Sequence, residues 1–378
     1  MKIALIRQRY NAFGGAERFV ERTLAALATE SEVSLTLLAR RWQGESATAA
    51  VQRCDPFYIG RTWRDWSFAR AACKAVAAGS FDLVQSHERI ACCDIFRAGD
   101  GVHAQWLANR ARMLGAKARF AQTVSPWHQF TLAAERRLFA SPRLQAVICN
   151  SRMVAEEIRR HFDFDTAKMH VIYNGVDLER FHPRLKSQWR EAIRARLGIP
   201  ADATMFLLVG SGFERKGVSV LLEAFSRLGQ GSNRYLVVVG ADRRAEALKK
   251  RAMALGIAEH TRFPGPQQDT APWYAAADCF VLPTLYDPFP NAILEALACG
   301  LPVITSAQCG AAELIEAGRT GWVCDALDVA GLAAHLSELD PALARQMGVA
   351  ARALAEHFPL DAMAAELVAL YRRLLSGK

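Results

Sequence analysis

The stretch DCFVLPTLYDPFPNAILEALACGLPVITS, residues 278–306, switches twice between two kinds of order. Asp278 to Leu282 is a short apolar run that reads as a buried strand. Asn291 to Cys299 carries apolar residues at helical spacing, and Pro302 to Ser306 reads as a second strand. Proline favours the first helical position, so the helix is predicted to open near Pro290 or Asn291. Gly300 stops it, and Pro302 prevents its continuation. Strands alternating with helices imply a parallel sheet covered on both faces.

The same alternation extends outward. After residue 200, strands are predicted at Phe206–Val209, Tyr235–Val239 and Thr261–Phe263, with helices at Val218–Leu228 and Ala245–Leu255. The first half shows Ile3–Ile6, Val33–Leu38, Phe81–Ser86, Ala146–Asn150 and Val171–Val176 as strands. A helix is predicted over Ala16–Thr29, and another opens at Ser151, a good N-cap residue. Phe181-His182-Pro183 closes this half, and a polar helix (Gln188 to Leu197) leads into the next. The fold class expected is α/β: two doubly wound, Rossmann-like units, 1–183 and 184–361, facing a central crevice. Ligands of such sheets bind at the carboxyl ends of the strands.

Composition narrows the function. The chain has 378 residues, 51% hydrophobic and 22% charged, which fits two globular domains and excludes a disordered chain. No window approaches the roughly 18 apolar residues of a spanning helix, and the start lacks a signal-peptide core. A cytoplasmic location is expected. The nine cysteines include no C-x-x-C pair and read as reduced, buried side chains. The net charge of +9 is lopsided: residues 1–183 hold 26 Lys and Arg against 18 Asp and Glu, and the remainder 21 against 20. A basic first half implies an anionic partner.

Four segments carry candidate chemistry. Asp287 and Glu295 stand eight apart, one in a proline-bracketed loop and one a turn into the helix. That helix's first turn, around Phe289, Asn291 and Ala292, is predicted to present N–H groups to an anion. A carboxylate beside a phosphate is repelled, so Glu295 suits a hydroxyl-rich group such as ribose. The Gly210-Ser211-Gly212-Phe213-Glu214-Arg215-Lys216-Gly217 turn follows a strand, so Gly210 and Gly212 let backbone approach phosphates while Arg215 and Lys216 neutralise a leaving diphosphate. Gly14 and Gly15 open a helix in the first half and form a second anion-capable turn. Asp100 and His103 stand in the stretch Arg97-Ala98-Gly99-Asp100-Gly101-Val102-His103, and His87 ends the strand predicted over Phe81–Ser86.

Segment 101–134 holds Arg110, Arg112, Lys117 and Arg119 and no acid. Trp106, Phe120 and Trp127 are among the apolar residues interleaved with them. This pattern suggests an interfacial segment on anionic lipid.

The arrangement around Asp287 and Glu295 resembles the E-x7-E signature of retaining GT-B glycosyltransferases of family 4, with Asp287 in place of the first Glu. The likeness extends to bacterial lipopolysaccharide-core enzymes through Phe13-Gly14-Gly15, Asp100, Val209-Gly210-Ser211, Arg215-Lys216-Gly217, Cys309-Gly310 and Gly318-Arg319-Thr320-Gly321. It implies that Asp287 meets the donor sugar, Glu295 the ribose, and Arg215 with Lys216 the diphosphate. It implies that Asp100 lines the donor sugar and acceptor. It gives the first domain the acceptor and the second the nucleotide sugar, and returns the carboxy-terminal helix, about 362–378, to the first domain.

The expected activity is metal-independent, retaining hexosyl transfer, with no cofactor beyond the nucleotide-diphosphate sugar. UDP-glucose is the first reading of the donor; UDP-GlcNAc, GDP-mannose and a nucleotide heptose are alternatives. The expected acceptor is an anionic glycolipid of the lipopolysaccharide core, met by a peripheral enzyme on the cytoplasmic surface of the inner membrane, with capsule or O-antigen synthesis as the alternative. A non-catalytic sugar-nucleotide binder is the reading from a different class. Asp163-Phe164-Asp165 formally matches the D-x-D of a metal-dependent transferase, but the two-unit architecture argues against it. The glycine spacing is wrong for NAD, and no nucleic-acid motif occurs.

Overall fold

The computed structural model describes residues 1–8, 34–41, 50–229 and 232–376. They form two compact units, Met1–Asn174 with Leu360–Lys378, and Gly175–Pro359. The division falls after Asn174, nine residues before the boundary read from the sequence.

The first unit is built on a seven-stranded sheet: β1 (Lys2–Ile6), β2 (Ser34–Ala39), β3 (Ala50–Arg53), β4 (Leu83–Ser86), β5 (Ile95–Arg97), β6 (Ala146–Cys149) and β7 (Met169–Val171). Their order is β3-β2-β1-β4-β5-β6-β7, and every pairing is parallel. Side chains alternate across a strand, so β1 feeds two cores. Ala4 and Ile6 pack with Phe68, Ala72, Leu138 and Ile158 from helices on one face. Ile3 and Leu5 pack on the other with Met363, Leu367, Leu370 and Tyr371 of the carboxy-terminal helix, Leu360–Ser376.

Two sequence expectations need correction here. The strand predicted over Val171–Val176 is β7, which ends at Val171; the chain then turns so that Asn174 Oδ1 accepts a hydrogen bond from the buried Arg97 (2.6 Å). Nine reduced cysteines were expected, yet Cys73 and Cys92 are joined in a disulfide, tying helix Gly60–Ala78 to the loop after β4. Seven other cysteines are free.

The second unit has six parallel strands: β8 (Thr204–Val209), β9 (Arg234–Val239), β10 (Thr261–Gly265), β11 (Cys279–Leu282), β12 (Val303–Ser306) and β13 (Gly321–Cys324). Their order, β10-β9-β8-β11-β12-β13, reverses direction between β8 and β11. All six residues of β8 are buried, as a strand covered on both faces requires. Asp278, just before β11, is a buried anchor. Its carboxylate accepts from Arg190 and Arg194 (2.6 Å each) and from the Met205 N–H (2.8 Å), fixing helix Leu185–Leu197 to the sheet.

Segment 101–134 forms helices His103–Ala111 and Ala116–Val124 and enters a third, Pro126–Phe139. No helix among the described residues is long and apolar enough to cross a membrane. The first and third helices meet through His103 Nε2 and His128 Nδ1, 3.0 Å apart. Burial, with Arg89 and His128 nearby, pushes the His103 imidazole down to about 3. The native ring therefore stays neutral where the unfolded ring, near 6.5, takes up a proton. The unfolded state then binds more protons, so stability falls as pH drops from about 6.5 towards 3. One such group adds up to about 1.4 kcal/mol per pH unit. Urea unfolding at several pH values should show this slope, and His103→Phe should flatten it. An unchanged slope would show that His103 titrates alike in both states.

Candidate active site

The carboxyl end of the second sheet is organised by the turn between β8 and helix Val218–Ser226. Gly217 has φ +74°, and a Cβ there would lie 1.9 Å from the Pro283 carbonyl oxygen, so only glycine lets this turn seat on the loop after β11. The Arg215 carbonyl accepts from Thr284 Oγ1 and from the Leu285 N–H, both at 2.8 Å. The two loops are thus sewn together by backbone, and their side chains meet as a consequence.

Lys216 Nζ donates to Asp287 Oδ2 at 2.6 Å, and an Arg215 guanidinium nitrogen lies 3.8 Å from the same oxygen. Lys216 and Asp287 are 7% and 6% exposed, so the contact is a buried ion pair and not a surface one. Burial alone would raise the Asp287 carboxyl. The charges of Lys216 and Arg215, with hydrogen bonds from Lys216 and the Phe289 N–H, outweigh it and hold the group below the usual carboxylate range. The backbone of Asp287 is clamped as well: its N–H donates to Gln308 O (3.0 Å) and its carbonyl accepts from the Gly310 N–H (2.8 Å). Gly210 lies against the Lys216 side chain, where an added Cβ would come within 3.0 Å of Cε. The Gly212 carbonyl accepts the Lys216 N–H.

Helix Asn291–Ala298 begins after Pro290, which supplies no capping side chain. Gly300, at φ +70°, follows its last turn. Phe289 is buried, and Asn291 and Ala292 are half-buried. Glu295 is half-buried, and its Oε2 accepts a hydrogen bond from Tyr274 OH at 2.9 Å. Tyr274 is wholly buried in helix Ala271–Ala276. The structure thus brings Gly210, Gly212, Arg215, Lys216, Asp287 and Phe289 together, and ties Glu295 to Tyr274. Sequence reasoning missed Tyr274, which lies in an apolar stretch that reads as core.

In the first unit, Gly14 and Gly15 lie outside the described residues. Asp100 is about half exposed and sits 4.0 Å from Arg7, which is also 3.7 Å from the Glu88 carboxylate. Burial raises the Glu88 carboxyl despite Arg7 beside it. Arg97 is buried at the end of β5, and burial, reinforced by Arg7, lowers its guanidinium to about 9. His103 is buried; its backbone N–H donates to the Glu135 carboxylate (2.7 Å), which also accepts from Arg89 (2.8 Å). Arg7, Glu88, Arg97 and Glu135 were not singled out from the sequence, because their partners (Glu88 for Arg7, Asn174 for Arg97 and Arg89 for Glu135) lie far away along the chain.

Of the basic segment, Arg112, Lys117 and Arg119 are exposed, whereas Trp106 and Arg110 are half-buried. Arg110 donates to Gln122 Oε1 (3.2 Å). Helix Ala116–Val124 buries none of its residues, and Phe120 is 69% exposed. A second exposed apolar group, Phe57, Ile59, Trp63 and Trp66, precedes and opens helix Gly60–Ala78 beside Arg61, Arg64 and Arg70. Trp127 joins the two regions: its indole N–H donates to Asp65 (2.8 Å), and Arg61 lies over its ring. The 57–70 signal was present in the sequence as aromatics interleaved with arginines.

Comparison with known proteins bears on this geometry. The model for Glycosyltransferase Family 4 matches residues 13–180, and that for Glycosyl transferases group 1 matches residues 190–354. A D-inositol 3-phosphate glycosyltransferase of Streptomyces avermitilis is 31% identical, over 94% of this chain and 78% of the relative. One from Streptomyces coelicolor is 32% identical, over 78% of this chain and 69% of the relative. Among solved structures, WaaG, a glycosyltransferase involved in lipopolysaccharide biosynthesis, superposes with a TM-score of 0.84 at 22% identity, covering 97% of this chain and 98% of that one. Anabaena HepE in complex with UDP-glucose gives 0.73 at 18%, covering 99% and 100%. The lipopolysaccharide enzyme is thus similar in fold, whereas these sequence relatives are inositol-phosphate enzymes. The chain belongs to glycosyltransferase family 4: it is a hexosyltransferase-type enzyme of GT-B fold.

Proposed function

We propose that the enzyme moves a hexose from a nucleotide-diphosphate sugar, bound by unit Gly175–Pro359, to an anionic acceptor bound by the first unit, with retention at the anomeric carbon. The observation that carries this reading is the buried Lys216–Asp287 pair with Arg215 beside it, on a glycine turn at the carboxyl end of the sheet. UDP-glucose is the donor we favour. The acceptor we favour is a phosphate-bearing glycolipid of the lipopolysaccharide-core type, which suits the basic first half. Phosphorylated inositol is the second reading, favoured by the sequence relatives.

The chemistry follows from charge. An acceptor hydroxyl oxygen attacks the anomeric carbon while the bond from that carbon to the diphosphate oxygen breaks. Lys216 and Arg215 meet the negative charge that develops on the leaving diphosphate, and the first turn of helix Asn291–Ala298 adds its dipole. The departing phosphate oxygen takes the hydroxyl proton on the same face, so retention needs no covalent enzyme intermediate. Asp287 holds Lys216 in place and contacts the sugar, and Glu295, steadied by Tyr274, takes the ribose. Asp100 lines the acceptor in the first unit. Arg215 and Lys216 supply the positive charge that a metal would otherwise bring.

Lys216→Ala should lower kcat/KM about 10- to 150-fold, the worth of a charged hydrogen bond of roughly 1.5–3 kcal/mol. Because that change leaves Asp287 buried without its cation, Arg215→Ala provides a second, less disruptive probe. Wild-type turnover should survive EDTA. Full activity in both variants, or loss in EDTA with recovery on adding manganese, would remove these residues from the reaction as written.

We also propose that the first unit rests on the anionic cytoplasmic surface of the inner membrane through Arg112, Lys117 and Arg119, with Arg110 behind them, His103 and Trp106 lining the acceptor, and Phe120 inserting. Each basic residue near such a surface gives about 1 kcal/mol, so the three exposed ones give roughly 3 kcal/mol, enough for reversible attachment. Co-sedimentation with anionic vesicles should weaken between about 0.1 M and 1 M salt, as the Debye length falls from about 10 Å to 3 Å. Replacing all four basic residues with Ser should weaken it at low salt while sparing nucleotide-sugar binding. Equal binding by parent and variant would return the segment to a domain helix.

A further inference from the structure

Glu135 is a buried carboxylate with one oxygen in use and one idle. It lies on helix Pro126–Phe139 and is 2% exposed. Its Oε1 accepts from Arg89 Nε (2.8 Å) and from the His103 N–H (2.7 Å). Its Oε2 is buried and has no hydrogen-bond partner among the described residues. A carboxylate only accepts, and buried polar oxygens are as a rule satisfied, so this one needs a further donor.

The same residue lines a cavity of about 230 Å³ in the first unit. Ala104 comes from helix His103–Ala111, Leu132 and Arg136 from Pro126–Phe139, and His161 from the end of helix Arg152–His161, with Phe162 next in the chain. The Glu135 charge is felt at the cavity wall. Burial and Arg160 lower the His161 imidazole, and Glu135 opposes them. The carboxylate therefore neighbours the cavity as well as Arg89 and His103.

The walls select a kind of ligand. Arg89 already balances the Glu135 charge, so the missing donor is a neutral O–H and not an ammonium. Arg136 is exposed, and its guanidinium forms no ion pair among the described residues, so an anionic group suits it. Ala104, Leu132 and Phe162 offer apolar surface to ring carbons. A cavity of about 150 Å³ holds a benzene ring, and drug-sized ligands occupy about 300 Å³ or more, so the space suits one substituted ring.

We infer that this cavity is a second ligand site, for a phosphorylated polyol of a single ring, whose hydroxyl donates to Glu135 Oε2 and whose phosphate meets Arg136. The inference goes beyond the transfer reaction proposed above and does not depend on it. Glu135 also ties together the loops after β4 and β5, because Arg89 donates to the Gly101 carbonyl (3.0 Å) and the His103 N–H meets the same carboxylate. A ligand that completes Glu135 steadies both loops. The phosphorylated ring is either a free sugar phosphate or the headgroup of a lipid.

Calorimetric titration of the full-length protein with glucose 6-phosphate tests this. The expected result is one site, retained at saturating UDP. Glucose and inorganic phosphate should each bind at least about 10-fold more weakly, since each meets only part of the cavity. Arg136→Ala, an exposed change, should weaken binding about 10-fold or more. Leu132→Trp fills the cavity and should abolish binding while UDP binding stays parental. Vesicles carrying phosphatidylinositol 4-phosphate separate the two sources: displacement of the sugar phosphate supports the site as one for a lipid headgroup, and no displacement supports it as one for a free sugar phosphate. No binding of glucose 6-phosphate, equal binding of inorganic phosphate, loss of binding in UDP, or parental affinity in Arg136→Ala would overturn the inference.

Discussion

A lysine ammonium and an aspartate carboxylate buried 2.6 Å apart set the character of the carboxyl end of the second unit's sheet. Such a pair survives only if its geometry is good and its remaining valences are met, because desolvating each ion costs several kcal/mol. Here the surroundings meet that demand. The Phe289 N–H and Arg215 serve Asp287, and the Asp287 backbone is clamped by Gln308 and Gly310. The Arg215 backbone in turn holds Thr284 and Leu285. Gly217 is required because Pro283 leaves no room for a side chain. The turn after β8 and the loop after β11 lie on either side of the point where the strand order reverses, so the pair sits where a doubly wound sheet accepts its ligand.

The first unit carries a related arrangement built from a chain of hydrogen bonds. In both units a buried tyrosine on a helix reaches a polar side chain near the carboxyl ends of the strands: Tyr274 to Glu295, and Tyr371 to Gln85 and onward to His87. A phenol is a large apolar body with one hydrogen-bonding tip, so it can be core and clamp together. Fixing a polar group before substrate arrives reduces the reorganisation left for the reaction itself. The second case also gives the carboxy-terminal helix two tasks. Met363, Leu367 and Leu370 cover one face of the sheet while Tyr371 bonds Gln85 of its central strand.

Much of this was legible in the sequence because the signals are local. Pro290, Gly300 and Pro302 bound the helix of Asn291–Ala298, Ser151 caps its helix by accepting the Val154 N–H, and the apolar runs mark the buried strands. Strands without such runs were missed. All four residues of β3 are exposed, so no core pattern announced it, and the irregular turn after β7 made that strand look longer than it is. Within the site, residue types and spacing identified Arg215, Lys216, Asp287 and Glu295, but not which of them touch. Lys216 and Asp287 are 71 residues apart, and Tyr371 and Gln85 are 286 apart. Only the register of the parallel sheets brings such pairs together.

The central claim is that Lys216 is held by Asp287 so that it can receive a diphosphate. A crystal structure of the protein with UDP tests it most directly. The account predicts a phosphate oxygen about 2.7–3.2 Å from Lys216 Nζ, ordinary hydrogen-bond range, with Asp287 still bound to the same ammonium and Glu295 on the ribose. UDP bound away from the turn after β8, with Lys216 still paired to Asp287 alone, would contradict it.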